Sequence, residues 1–207
     1  MKYKDYLEKN HSFDKKTMLG IFCMIIVIGG VFGFLYEYLF YFFNGGMKEF
    51  YYRGGNFLPW INIYATGSVM IYILTYKYRK NPLKVFLISV ISTGLLEYFS
   101  GLGIYIIGDG LRYWDYNTEI LNFGNINGFV CLRSVMFFGL SALLLMYVIV
   151  PFCFHVANKS NKKVFLIVTI SICSIFLADE FYNLIFTKLF NFPKATTIYK
   201  SIGIHYM

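Results

Sequence analysis

Apolar residues gather along this chain in five long runs, at residues 18–43, 57–76, 83–108, 129–156 and 164–190, with short polar breaks between them. A helix needs about 20 apolar residues to cross a hydrocarbon core of about 30 Å, and each run is long enough. The first is too long for the core of a cleaved signal and no A-x-A site follows it, which predicts an uncleaved span. The pattern predicts an all-α membrane protein, a bundle of about five transmembrane helices with a short extracytoplasmic segment containing Trp114-Asp115-Tyr116. The expected domains are a cytoplasmic basic segment (1–17), the five-span domain (18–190) and an extracytoplasmic tail (191–207), which holds no sixth run.

Two runs carry a stripe unsuited to lipid. Gly29, Gly33, Glu37 and Tyr41 share one helical face, as do Gly94, Glu97, Gly101 and Tyr105. Small residues let another helix approach closely, and the glutamates then point into the contact. In the second run Pro59 suits a helix entrance, with Asn62 and Thr66 as a polar step inside.

Composition agrees: 57% of residues are hydrophobic, 21% aromatic and 14% charged, against about 25% charged in a soluble domain. The net charge of +8 would suggest nucleic acid on a soluble protein. Here the lysines sit in short loops between apolar runs, so the lipid bilayer is the expected partner and nucleic acid is not. Twelve Lys and Arg fall on the N-terminal side and six on the other, with Arg133 inside a run. The richer side should be cytoplasmic, giving a multi-pass protein of the cell membrane with its N-terminus inside and its C-terminus outside. Cys23, Cys131, Cys153 and Cys173 lie in apolar runs without metal-finger spacing and read as small buried hydrophobes.

Charges inside apolar runs are costly and usually functional. At 1.5 Å per residue, Glu37 lies roughly 9 Å below the outer end of its span, and Asp179, Glu180 and Glu97 lie deeper in theirs. Ion pairs such as Glu97 with Arg112 or Glu180 with Arg133 would explain these acids structurally. The four carboxylates nevertheless outnumber the embedded arginine, even with Arg53 and Arg112 added. The surplus must be protonated, bind a cation or meet water, so the expected site is a hydrated, outward-facing pocket. Its candidate binding residues are Glu37, Arg53, Glu97, Arg112, Asp115, Asn125, Asn127, Arg133 and Glu180. Acids suit a hard divalent cation, and arginines suit phosphate or carboxylate. No spacing selects a metal, a cofactor or a catalytic set. No histidine falls in the pocket region, and His155 lies at the cytoplasmic end of its run. Tyr113, Trp114 and Tyr116 have the character of interface anchors.

Leu96-Glu97-Tyr98-Phe99-Ser100-Gly101, Arg112-Tyr113-Trp114-Asp115-Tyr116-Asn117 and Asn125-Ile126-Asn127-Gly128, with Phe138-Gly139, resemble the bacterial membrane family labelled ABC-transporter permease, type IV (CmpB-like). Arg53 to Ser68, following Glu37, resembles an earlier element of that family, and the likeness covers about residues 30–140. The resemblance implies a transporter or permease component served by a separate ATPase subunit. The family pattern has Pro at Asn62, Gly at Leu58 and Ala65, and Arg at Phe129, so Arg133 is the expected substitute charge beside Asp115.

The chain has no GxxxxGK[ST] loop and cannot bind ATP in the P-loop manner. Three functions stay open: transporter-like solute handling, an integral membrane enzyme acting on a lipid or lipid-linked substrate at the outer leaflet, and a non-catalytic assembly partner. The small anionic, cationic or lipid-headgroup ligand is not specified by any motif.

Overall fold

The computed structural model describes residues 3–8, 11–44 and 55–204. The architecture is all-α. Among the described residues, β pairing is confined to one antiparallel bridge, Ile126 with Val130. The helices are α1 (Tyr3–Glu8), α2 (Lys15–Asn44), α3 (Asn62–Thr75), α4 (Pro82–Ile107), α5 (Leu132–Leu144), α6 (Val150–Lys159), α7 (Lys162–Phe181), α8 (Thr187–Leu189) and α9 (Ala195–Ser201). A π-helical turn, Leu145–Ile149, joins α5 to α6, and another, Tyr182–Phe186, joins α7 to α8.

Among the described residues, four helices are long and apolar enough to cross a membrane: Lys15–Phe43, Pro82–Ile107, Leu132–Lys159 and Lys162–Phe181. They correspond to the first, third, fourth and fifth apolar runs. The second run differs from its expected form. Its helix, α3, has 14 residues, about 21 Å at 1.5 Å per residue. Pro59 does not open that helix: residues 55–61 are non-helical, and α3 starts at Asn62. Proline disfavours the helical conformation in the residue before it, and the N–H groups of Phe57 and Leu58 bond a distant carboxylate instead of a helical carbonyl.

Helix starts follow ordinary capping chemistry. The Asn81 side chain accepts from the Lys84 N–H, with Pro82 in the first turn of α4, and the Asn161 side chain accepts from Lys163 and Val164 at the start of α7. Such caps satisfy N–H groups that lack helical partners. Asp14 does the same for α2, accepting from the Thr17 N–H at 3.0 Å and its hydroxyl at 2.8 Å. These bonds, with Lys162 3.1 Å away, hold the Asp14 carboxyl below the usual range.

Two compact units share the chain, one from residues 1–11 and 67–152, the other from 12–66 and 153–207. In the first, α4 packs along α5. The expected small-residue stripe of α4 is a packing face: a side chain at Gly94 would meet Val135, and one at Gly101 would meet Phe129 and Trp114. From the facing helix, Gly139 lies against Phe86 and Val90. Arg79 is buried in this unit, donating through Nε to the Tyr6 carbonyl at 2.9 Å and lying 4.3 Å from the Tyr76 ring centroid.

In the second unit α2 packs along α7. Gly30 faces Phe176 and Trp60, while Gly33 lies under the Tyr64 ring. Trp60, Ala65 and Phe176 form a core with Ile26, Val27 and Val31 against it. The Ile61 N–H donates to the Gly30 carbonyl at 3.0 Å, so the non-helical entry segment is seated directly on α2.

Gly139→Leu should be the damaging change in the first unit, because the added side chain must displace Phe86 and Val90. Overpacking costs about 1–3 kcal/mol. The expected result is a lower unfolding midpoint in detergent, with Leu140→Ala on the exposed face as a near-neutral comparison.

Candidate functional site

Glu97 is 4% exposed on α4, and both carboxylate oxygens are occupied by hydroxyls. Tyr116 Oη donates to Oε1 at 2.5 Å and Ser134 Oγ to Oε2 at 2.7 Å. Ser134 Oγ also lies 2.8 Å from the Cys131 carbonyl. One hydroxyl proton serves one of these acceptors at a time. Burial and the adjacent carboxylate push the Tyr116 phenol well above its usual range, which keeps it a donor.

Tyr116 reaches Glu97 because residues 108–131 form a folded cap between α4 and α5. Asn127 (φ 55°) and Gly128 (φ 77°) make a tight turn, closed by Phe129 N–H to Ile126 O at 3.1 Å. Positive φ at both central residues is the Asn-Gly hairpin signature. The Tyr116 N–H donates to the Gly128 carbonyl at 3.0 Å, and Trp114 Nε1 to the Phe129 carbonyl at 2.9 Å. Arg112 donates to the Asn127 carbonyl at 2.9 Å and lies 3.6 Å from Asp115, its guanidinium 4.4 Å from the Phe129 ring centroid. Asp115 accepts from the Asn117 backbone and side chain, Asn125 donates to Asn117, and Gly128 donates to Asn125. Any side chain at Gly128 would strike Arg112, Asp115 and Asn117.

The cap therefore brings Arg112, Asp115, Asn125 and Asn127 together, with Glu97 held through Tyr116. Arg133 is in the same unit but bonds Glu119 at 2.6 Å. Within this unit Arg133 pairs with Glu119 and not, as expected, with Asp115; Arg112 pairs with Asp115, and Glu97 takes hydroxyl donors in place of the expected Arg112. Arg133 stands at the second position of α5, where it meets the turn of the cap that carries Glu119. Trp114 and Tyr116 also differ from their expected role as interface anchors: both turn inward, and Tyr113 alone of the three is exposed.

Asp179, Glu180 and Glu37 belong to the second unit. Asp179 accepts four hydrogen bonds, each 2.9 Å long: from the N–H groups of Phe57 and Leu58, Trp60 Nε1 and Asn183 Nδ2. Glu180 accepts from Asn56 Nδ2 at 2.6 Å and Asn62 Nδ2 at 2.8 Å. The Tyr199 hydroxyl donates to the Phe57 carbonyl, fastening α9 to the same segment. Glu37 is half-buried on α2, and Arg53 lies outside the described residues.

Sequence reasoning missed Ser134, Asn56, Trp60 and Glu119 as partners of the buried charges. The available signal was position: Ser134 lies in the first turn of α5, and Asn56 and Trp60 lie in the segment just before α3, where backbone and side-chain donors collect. Among the described residues, no three His, Cys, Asp or Glu side chains converge as a metal site would need. All four cysteines are buried thiols.

The two acid sites should respond differently to amide substitution. Asp179→Asn turns an amide N–H toward fixed backbone donors and should lose about 1.5–3 kcal/mol per charge-assisted bond broken. Glu180→Gln should be milder, because Asn56 and Asn62 can rotate to offer their carbonyl oxygens; paired detergent-unfolding curves read the difference. At the first site, Tyr116→Phe leaves a buried carboxylate oxygen without its donor, a loss of about 1–3 kcal/mol. Glu97→Gln should cost less, since either hydroxyl can become an acceptor. Equal midpoints for these two variants would contradict the hydroxyl assignment.

Comparison with known proteins adds one positive match. The family model for putative ABC-transporter type IV proteins matches residues 24–184. The match runs past residue 140, where the resemblance was expected to stop, and takes in Asp179 and Glu180. No curated protein matches the chain, and no solved structure does. With its apolar helices and this match over most of its length, the chain belongs to the putative ABC-transporter type IV family of membrane transporter-like proteins.

Proposed function

We propose that the chain is the membrane component of a bacterial transporter, and that Glu97, Tyr116 and Ser134 form its solute-handling site beneath the 108–131 cap. One observation carries this reading: a carboxylate buried in a span has both oxygens on neutral hydroxyls. Hydroxyls satisfy hydrogen bonding without neutralising charge, so a proton or a cationic group can be exchanged there without dismantling an ion pair. Arg112, with a quarter of its side chain accessible, and Asp115 form the polar entrance, while Asn125 and Asn127 hold the turn that positions them. In this reading Asp179 and Glu180 shape the entry to α3, and Glu37, Arg53 and Arg133 stand outside the exchanging set. With no P-loop in the chain, ATP-driven movement would rely on a separate ATPase subunit.

The proposed orientation in the cell membrane has the N-terminus inside and the C-terminus outside. Within one unit Arg79 bonds the Tyr6 carbonyl, and within the other Lys162 pairs with Asp14, so each unit by itself fits a basic turn lying beside the N-terminal segment. The excess of Lys and Arg there fits the cytoplasm.

The test combines abundance with access. Glu97→Gln should abolish solute movement or the associated growth phenotype at normal abundance, and Glu180→Gln should leave most of it. In right-side-out and inverted vesicles, a thiol at Ser134→Cys should react with impermeant maleimide from both faces, in different proportions as solute is added. Reaction from the outer face alone would overturn the transporter reading in favour of outer-leaflet chemistry.

A further inference from the structure

The cap has a second face that the polar site does not use. Leu111, Tyr113, Ile120, Leu121, Phe123 and Ile126 are all exposed, at 43, 58, 51, 59, 56 and 54%. Isolated exposed apolar side chains are ordinary; six within one 24-residue connection are a concentration of apolar surface. The patch continues into the span ends, where Ile106 and Ile107 finish α4 and Leu132 begins α5, all exposed.

Backbone geometry adds an independent sign. Positive φ in the cap falls on Asp109, Gly110, Gly124, Asn127 and Gly128, the usual residue types, and also on Leu121 at 54°. A branched apolar residue is disfavoured in the left-handed region; there Leu121 turns its side chain outward, 59% exposed. Charge selects the kind of surface: residues 108–131 contain Asp109, Asp115 and Glu119 but only Arg112 as a base. That balance offers no basic patch for anionic headgroups, so contact would come from apolar insertion.

We propose that the cap is a membrane-interface anchor, with Leu121, Phe123 and Ile126 inserted among the acyl chains of the leaflet that borders α4 and α5. The same cap holds Tyr116 on Glu97, so the bilayer surface would fix the height at which the polar site is covered. The inserted face takes lipid of any headgroup class, in keeping with its acidic balance.

Site-directed spin labelling of the full-length protein in nanodiscs tests this. Nitroxides at Leu121→Cys, Phe123→Cys and Thr118→Cys are compared, with the wild-type protein, whose cysteines are buried, as the labelling blank. The expected result is high oxygen and low nickel-chelate collision rates at 121 and 123, reversed at 118, and alike in phosphatidylcholine and phosphatidylglycerol discs. Strong nickel-chelate collision at 121 and 123 would overturn the proposal, and so would protection from both reagents, which would mean a protein surface covers the patch. Depth that appears only in phosphatidylglycerol would also overturn it. Should a cysteine variant fail to fold, Phe123→Trp gives the same answer: brominated acyl chains should quench the added emission, and unquenched emission refutes insertion. These readouts do not depend on solute movement, so they stand apart from the transporter assignment.

Discussion

A carboxylate removed from water must be met by donors, and a backbone leaving a helix inside a membrane must find acceptors. In this protein each need answers the other. Asp179 receives the N–H groups of Phe57 and Leu58 where the chain enters α3 without helical bonds. Glu97 receives Ser134 from the first turn of α5 and Tyr116 from the cap before it. In both units, an acid on one long helix grips the entrance of another helix.

The two grips differ in what they permit. Around Asp179, two of the donors are backbone groups that cannot turn round, and the indole of Trp60 is locked against Phe176 with ring centroids 5.1 Å apart. Such a site is rigid by construction. Around Glu97, the donors are rotatable hydroxyls, and Ser134 has a second acceptor within reach. A proton or ligand arriving there meets groups able to reorganise at low cost, which is the behaviour a solute-handling site needs. The family match spans both units, so it is this difference in donors that supports placing the proposed site in the first.

The cap converts a polar connection into a defined surface. Its Asn127-Gly128 turn, with no room for a side chain at Gly128, stacks Arg112, Asp115 and Asn117 on the outside and Tyr116 on the inside. The same 24-residue connection also exposes apolar side chains, Leu121, Phe123 and Ile126 among them. Polar site and membrane contact are thus two sides of one small structure.

Much of the fold is legible in the sequence because hydrocarbon imposes length and composition directly. The long runs become helices, and the Gly94–Gly101 stripe becomes a packing face. Hydropathy averages over a window, so it could not register that Pro59 and the acceptors on Asp179 keep residues 55–61 out of α3. The candidate residues were legible by type: charges in apolar sequence are conspicuous. Their partners were not, because Glu97 and Ser134 are 37 positions apart and Asp179 and Phe57 are 122 apart. Sequence alone established that acids lie inside the spans. Only tertiary structure decided that hydroxyls and backbone amides answer them, since donor and acceptor meet through helix packing and a turn that no local pattern encodes.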